Sequence, residues 1–178
     1  NKEISFVYSK EILSLLESVI PRSAATAIQE AIYKMDTREL QKALENFLIQ
    51  SISFHDVSNE AFYHGLMLGM CAVMDNSYRV TSNRESGEGR FDIQMMPVNI
   101  HLPGILIELK AGKNCSDEQL QKLSAAALQQ IDNRTYHTEL QAAGITSIIQ
   151  FGIAFSGKKV QIAAKTNLTD ERNTAGRN

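Results

Sequence analysis

Residues 91–110 read FDIQMMPVNIHLPGILIELK, and this stretch decides the fold. Apolar residues alternate with others on both sides of the segment 97–103, which predicts two β-strands joined as a hairpin. Because successive side chains of a strand point to opposite faces, one apolar set is expected to enter the core: Phe91, Ile93, Met95, Ile105, Ile107 and Leu109. Asp92, Glu108 and Lys110 are then expected on the other face, where they can converge.

The pairing of Asp92 with Glu108 predicts a bound cation. Two carboxylates about 5 Å apart repel each other by roughly 3 kcal/mol at an effective dielectric constant of about 20, so something must offset that cost. A divalent cation would do so, and Mg²⁺ prefers carboxylate, carbonyl and water oxygens. Asp92, Glu108 and the backbone carbonyl of Leu109 would form part of its shell. A structural ion pair with a spectator acid is the alternative.

The sequence on the N-terminal side of the hairpin is dominated by helical patterns. Apolar residues recur at helical spacing over residues 12–20 and again over 24–35, and Asp36 begins a capping-box pattern for a third helix. A longer helix is predicted over residues 58–75, where apolar side chains again recur at helical spacing.

Strands and a further helix account for the remaining patterns. A strand is predicted from Tyr78, ahead of the hairpin. On its C-terminal side, Ser116-x-x-Gln119 has capping-box spacing for a helix, and residues 145–155 and 160–164 are predicted to form two strands.

This order of elements predicts an α/β fold in which helices flank a mixed central sheet. Residues 53–168 are interpreted as that domain. Residues 1–52 are interpreted as a helical subdomain docked on it, because no Gly-rich or Pro-rich linker separates the two. The polar residues 169–178 are interpreted as a tail.

The composition describes a globular chain of ordinary charge. Its 178 residues include 43% hydrophobic and 21% charged side chains, and the formal net charge is −2. These values exclude disordered and fibrous classes, and they differ from the strongly basic balance of many nucleic-acid-binding domains. Cys71 and Cys115 form no C-x-x-C motif, so neither a disulfide framework nor a zinc knuckle is expected. No apolar run reaches the ~20 residues that a bilayer requires, so a cytoplasmic protein with no membrane partner is expected.

Two motifs resemble those of a known family. Glu-Ser-Gly-Glu-Gly-Arg-Phe-Asp at 85–92, followed by Ile-Leu-Ile-Glu-Leu-Lys at 105–110, resembles the PD-(D/E)XK nuclease superfamily. The resemblance extends over roughly residues 50–165 and is closest to nuclease-like C-terminal domains of bacterial AAA-ATPase-like proteins. It implies a restriction-endonuclease-like core and an upstream AAA-ATPase-like domain that this chain does not contain.

The resemblance also implies roles for individual residues. Asp92 and Glu108 would hold Mg²⁺ or Mn²⁺, and Lys110 would orient or help to deprotonate the attacking water. Glu60 matches an acidic residue that often completes the metal site. Gln130 matches a glutamine that lies beside the active site in related members, and Arg90 is a candidate phosphate contact.

Two departures from the family pattern limit what is implied. Phe91, preceded by Arg90, stands where the motif's name has proline, a substitution common enough in the superfamily to leave the metal role in place. Gln130 and Tyr136 are six positions apart, unlike the Gln-x-x-x-Tyr of RecB-type exonucleases, so an exonuclease mode is not inferred.

The expected function is therefore metal-dependent hydrolysis of phosphodiester bonds, with DNA as the expected substrate. The alternative is a non-catalytic nuclease-like interaction or DNA-binding module of a larger ATPase-containing protein. Four lysines could line a groove for a nucleic-acid backbone or could simply be exposed: Lys113, Lys122, Lys158 and Lys159. His64, four residues after Glu60, is expected to stack on the sheet or bond to a backbone group in preference to binding a metal.

Overall fold

A computed structural model of the chain describes residues 21–51, 60–73, 77–82, 91–131, 140 and 142–168. The elements there are, in chain order, α1 (Arg22–Tyr33), α2 (Thr37–Ser51), α3 (Glu60–Val73), β1 (Tyr78–Ser82), β2 (Ile93–Pro97), β3 (Gly104–Ala111), α4 (Asp117–Gln130), β4 (Ser147–Ser156) and β5 (Lys159–Leu168). The helix predicted over 12–20 and the tail 169–178 lie outside the described residues. None of the helices within the described ranges is long and apolar enough to cross a membrane.

The five strands form one mixed sheet in the order β1-β2-β3-β4-β5. Strands β3 and β4 are parallel, and the other neighbouring pairs are antiparallel. Helix α4 supplies the crossover that a parallel pair requires. The predicted α/β class is confirmed, and so is the hairpin of β2 and β3, in which Ile93 lies opposite Ile107.

Local sequence signals explain where several elements begin. The Ser116 Oγ accepts the Gln119 N–H at 3.3 Å and the Gln119 Oε1 accepts the Ser116 N–H at 2.8 Å, so the predicted capping box begins α4. The Asp36 Oδ1 accepts the Glu39 N–H at 3.0 Å ahead of α2. Gly157, in the turn between β4 and β5, has a φ of 62°, a conformation that glycine adopts without strain.

The core divides between the two faces of the sheet. The face that packs on α1, α2 and α3 carries the larger apolar cluster, which includes the fully buried Ile105, Ile107 and Leu109 of β3. The opposite face carries a smaller cluster around Leu106, whose other members are Phe91, Ile131, Leu140, Ile145 and Ile148. Helices α1 and α2 contribute to the larger cluster, so they share one core with the sheet. Domain boundaries at residues 52 and 168 stay predictions.

Phe91 departs from the predicted alternation. Strand β2 begins at Ile93, after a bend at Asp92. Phe91 packs in the smaller cluster, whereas Ile93 and Met95 belong to the larger one. Strict alternation of side chains applies to extended backbone, and the bend interrupts it. The prediction that Phe91, Ile93 and Met95 share one core face is therefore wrong at Phe91.

Candidate functional site

Asp92 is bonded to β3 through both its main chain and its side chain. Its N–H donates to the Ile107 carbonyl at 3.0 Å, and its Oδ2 accepts the Leu109 N–H at 2.8 Å. Within the described part of the chain, the Asp92 Oδ1 takes part in no hydrogen bond. One carboxylate oxygen is thus fixed by the backbone, while the other is available to a ligand.

Glu108 is the buried carboxylate of the site, with only 4% of the residue exposed. Burial, and to a lesser extent repulsion from Asp92, raises the pKa of Glu108 from 4.5 to about 7. The Lys110 Nζ donates to the Glu108 Oε1 at 3.1 Å and opposes this rise in pKa. The predicted convergence of Asp92, Glu108 and Lys110 is therefore present in the structure.

A glycine opposite Glu108 allows α4 to pack directly on the sheet. Gly152 of β4 is the register partner of Glu108. A Cβ at Gly152 would collide with the helix backbone, at the carbonyl oxygen of Ser124 and the nitrogen of Leu128. The close approach of helix and strand places apolar structure beside Glu108 and accounts for part of its burial.

Two further predicted ligands lie near the carboxylate pair. Glu60 is the first described residue of α3 and is exposed, and its charge contributes a smaller increase to the pKa of Glu108. The Leu109 N–H faces Asp92. Because the N–H and C=O of one strand residue point to the same side of the strand, the Leu109 carbonyl faces Asp92 as well.

Of the two predicted substrate contacts, Gln130 and Arg90, only Gln130 lies in the described part of the chain. Gln130 is the last residue of α4, and its side chain is exposed. It lies two helical turns after Leu123, which packs beside Gly112 at the end of β3, so Gln130 projects from the same side of α4. Arg90 and Tyr136 lie outside the described residues.

The donor atoms suit a hard divalent cation. Carboxylate oxygens of Asp92 and Glu108, together with the Leu109 carbonyl, are the ligand types that Mg²⁺ takes, and Mg²⁺ usually keeps several waters. Among the described residues, no group of three or more His, Cys, Asp or Glu side chains is arranged so that it could hold a metal ion. A partial protein shell completed by water therefore fits this site better than a zinc-like cage does.

A cleft of about 1020 Å³ opens at the C-terminal end of β3. Glu60 and Ala111, the residue after Lys110, are among the residues that line it. Three of the four lysines considered above also line it: Lys113, Lys158 and Lys159. The fourth, Lys122, lies outside the cleft and pairs with Glu118 at 2.7 Å.

The acidic residues that line the cleft mostly have partners. Asp117 pairs with Lys159 at 2.8 Å, and the Glu45 Oε1 accepts the Val160 N–H at 3.0 Å. Lys113 and Lys158 also line the cleft, and the Lys158 Nζ donates to the Ile49 carbonyl at 3.2 Å. Lys113, Lys158 and Lys159 bring positive charge to the cleft that Glu60 also lines.

His64, in α3, contacts the main chain of Asp92. Its Nε2 lies 3.3 Å from the Asp92 carbonyl oxygen and 3.1 Å from the Ser82 Oγ. The backbone contact is the role expected for this imidazole. The contribution of Ser82 was missed, although its place at the end of a predicted strand, ahead of the Gly-containing segment that leads to Asp92, is a usable signal.

Comparison with models of protein families identifies the superfamily of the chain. A family model of the PD-(D/E)XK nuclease superfamily matches residues 58–165, more than half of the chain, and this range contains all the predicted site residues. No match to the chain was found among curated proteins. The superfamily suggests a metal-dependent nuclease with a nucleic-acid partner, and its members generally use divalent metal ions. The chain belongs to the PD-(D/E)XK nuclease superfamily.

Proposed function

We propose that the chain is a metal-dependent nuclease that hydrolyses phosphodiester bonds of DNA. In this proposal Asp92 and Glu108 bind Mg²⁺ or Mn²⁺, with the Leu109 carbonyl and Glu60 as further ligands, and Lys110 orients the attacking water. The observation that carries the proposal is the burial of Glu108 between a second carboxylate and a lysine.

Even with Lys110 in contact, the ionised form of the buried Glu108 is unfavourable in the absence of a metal cation. A carboxyl group whose pKa is raised to about 7 opposes folding in its ionised form at neutral pH. A neutral side chain at position 108 would remove the repulsion from Asp92, so stability of the fold does not require two acids here. A divalent cation favours the ionised form of both acids and supplies the reason for their proximity.

In this proposal Lys110 has a role in contact with the substrate. When bound, a divalent cation supplies a Lewis acid for phosphoryl oxygen and lowers the pKa of a coordinated water. The Lys110 Nζ contacts Glu108, yet its side chain remains 29% exposed, so the ammonium group can also reach a phosphate at the surface. There it holds the attacking water or stabilises the charge that develops on the phosphate.

In this proposal the cleft that Glu60 lines holds the substrate strand. Lys113 and Lys158 bring positive charge to it, and phosphate contacts of this kind supply most of the affinity of nucleic-acid binding that does not depend on sequence. Gln130 and Arg90 are proposed as weaker substrate contacts, on the basis of the family resemblance.

The setting of the domain is part of the proposal. The motifs at 85–92 and 105–110 resemble those of nuclease-like domains that follow an AAA-ATPase-like domain. We therefore propose that such a domain targets this one to its substrate, in the cytoplasm. The alternative is a non-catalytic module of the same larger protein, which would have the nuclease fold and bind a partner or DNA without hydrolysing phosphodiester bonds.

Nuclease activity is tested with purified chain and the Lys110→Ala variant. Each is incubated with circular and linear DNA, single and double stranded, and with RNA of the same sequence, in Mn²⁺ and then in excess EDTA. We expect cleavage of DNA that requires both Mn²⁺ and Lys110. Cleavage that persists in EDTA or in the variant would contradict the assigned roles.

Metal titration separates the enzyme from the non-catalytic module. Calorimetry with Mn²⁺ is expected to show one stoichiometric site that Glu108→Ala abolishes. Glu118→Ala, which removes an exposed acid on α4, is the matched control and is expected to leave binding unchanged. Absence of Mn²⁺ binding, together with absence of cleavage, would favour the module.

A further inference from the structure

Three elements meet at the main chain of Asp92. His64 belongs to α3, Ser82 is the last residue of β1, and Asp92 stands immediately before β2. The His64 Nε2 lies between the Asp92 carbonyl oxygen, at 3.3 Å, and the Ser82 Oγ, at 3.1 Å. His64 itself is only 6% exposed, so packing restricts where its ring can go.

Hydrogen-bond chemistry determines which atom carries the proton. A backbone carbonyl oxygen only accepts hydrogen bonds, so the contact with Asp92 requires a proton on the His64 Nε2. The Ser82 hydroxyl can donate or accept, and next to an Nε2–H it accepts. Both contacts then share the same N–H donor. They hold the imidazole next to the end of β1 and the start of β2.

The three contacts of Asp92 leave little freedom for its backbone. Its carbonyl contacts His64, its N–H donates to Ile107 and its Oδ2 accepts from Leu109. Because the side chain and main chain of Asp92 are both fixed, the Oδ1 has a defined direction. Groups that orient metal ligands in this way typically contribute 10–100-fold to metal affinity, to order of magnitude.

We propose that His64 is a positioning residue, whose Nε2–H holds the Asp92 carbonyl so that the Asp92 carboxylate stays in place for a divalent cation. Ser82 supports the imidazole in this orientation. The role of the cation rests on the proposed function, whereas the placement of Asp92 by His64 does not depend on it. His64 does not itself bind the metal in this proposal, since its Nε2 already contacts Asp92 and Ser82.

The test compares His64→Leu with His64→Gln. Leucine fills a buried site without a donor, whereas the Gln Nε2 can replace the imidazole N–H. The first measurement is Mn²⁺ affinity by calorimetry. We expect a loss of about tenfold in His64→Leu and recovery to within about threefold of wild type in His64→Gln. Ser82→Ala is expected to fall between the two.

The second measurement is made without metal. Hydrogen exchange of the Leu109 amide, which donates to the Asp92 Oδ2, reports whether Asp92 is still held in place. Exchange is expected to accelerate in His64→Leu and to slow again in His64→Gln. If wild-type protein binds no Mn²⁺, the proposed function fails, and the Leu109 amide still decides the role of His64.

Met70→Ala separates positioning from general destabilisation. Met70 is buried on the same helix and belongs to the large apolar cluster, so its loss lowers stability without removing a contact to Asp92. We expect this variant to bind Mn²⁺ as wild type does. The proposal is overturned if His64→Leu leaves Mn²⁺ affinity and Leu109 exchange unchanged, or if Gln and Leu at position 64 behave alike.

Discussion

The two faces of strand β3 carry opposite kinds of side chain. On the face toward α1, α2 and α3, Ile105, Ile107 and Leu109 are fully buried in one continuous apolar cluster. On the other face, Leu106 joins a smaller cluster, and Glu108 and Lys110 follow it toward the end of the strand. Burial on the first face stabilises the fold, whereas burial on the second places a carboxyl group where its charge is unfavourable.

The contrast shows that the buried acid Glu108 lies on the face of β3 with the smaller apolar cluster. A strand needs only one well-packed face to stay in a sheet, so the large cluster can hold β3 while the other face carries polar groups. Stability and the proposed activity then depend on neighbouring residues of one strand. Single substitutions at adjacent positions should accordingly affect the molecule in opposite directions.

Truncating a buried side chain on the apolar face of β3 should give the largest change in the free energy of unfolding. Ile107→Ala removes a fully buried side chain next to Glu108 and is expected to lower the free energy of unfolding by about 3 kcal/mol. Urea denaturation measures this change. Ile100→Ala, at a residue 53% exposed in the β2–β3 connection, is the control and should cost less than about 0.5 kcal/mol. Equal losses in both variants would mean that the large cluster does not dominate stability.

Disturbing the packing of α4 on the polar face of the sheet should give the next largest loss of stability. Gly152→Ala places a Cβ against the backbone of α4 and is expected to cost about 2 kcal/mol, because a helix backbone cannot move aside as a flexible side chain can. Gly65→Ala is the matched control within α3, where a Cβ would have nothing within 4 Å. It should stabilise the protein by about 0.5 to 1 kcal/mol. An unchanged melting temperature in Gly152→Ala would contradict the close contact.

Neutralising the polar face should raise stability. The folded state raises the pKa of Glu108 to about 7, so the protonated form is favoured by folding. That contribution is fully present below about pH 4.5 and is lost as pH rises through about 7. In metal-free buffer, Glu108→Gln should therefore melt about 2 to 4 °C higher than wild type at pH 8, and the gain should disappear by about pH 4.5.

An exposed acid provides the control for that pH dependence. Glu118→Gln, in a pair whose side chains are at least 75% exposed, should show no such gain at pH 8. A melting temperature for Glu108→Gln below that of wild type at every pH would mean that the contact with Lys110 outweighs the cost of burial.

Removing one lysine from the cleft should give the smallest effect. Lys113→Ala is expected to raise the KM for DNA about threefold and to reduce the slope of log binding constant against log salt concentration by about 1. Lys122→Ala, outside the cleft, is the control and should change neither quantity. Equal effects of the two substitutions would indicate that the cleft does not hold the substrate strand.

Much of the fold followed from local patterns. The alternation over residues 91–110 predicted the β2–β3 hairpin, and the spacing of Ser116 and Gln119 predicted the capping box of α4. Both depend on interactions between residues close in sequence, which propensity and spacing describe well. The convergence of Glu108 and Lys110 also followed, because residues two apart on a strand share a face.

Other features depended on contacts between distant segments. The bend at Asp92, which moves Phe91 to the smaller cluster, carries no local signature that separates it from extended strand. The bond from the Leu109 N–H to the Asp92 Oδ2 and the contact of His64 with the Asp92 carbonyl join elements that are distant in sequence. Strand periodicity assigns a residue to a face but does not say which backbone group its side chain will reach.

The sequence by itself determined the α/β class, the hairpin and the presence of two acids and a lysine on neighbouring strands. Only the tertiary structure decided that Glu108 is buried, that Gly152 brings α4 against the strand beside it and that Glu60 lies near enough to raise its pKa. The reason is physical. Residue types and their spacing are local properties, whereas desolvation and charge–charge repulsion depend on what the folded chain places around a group.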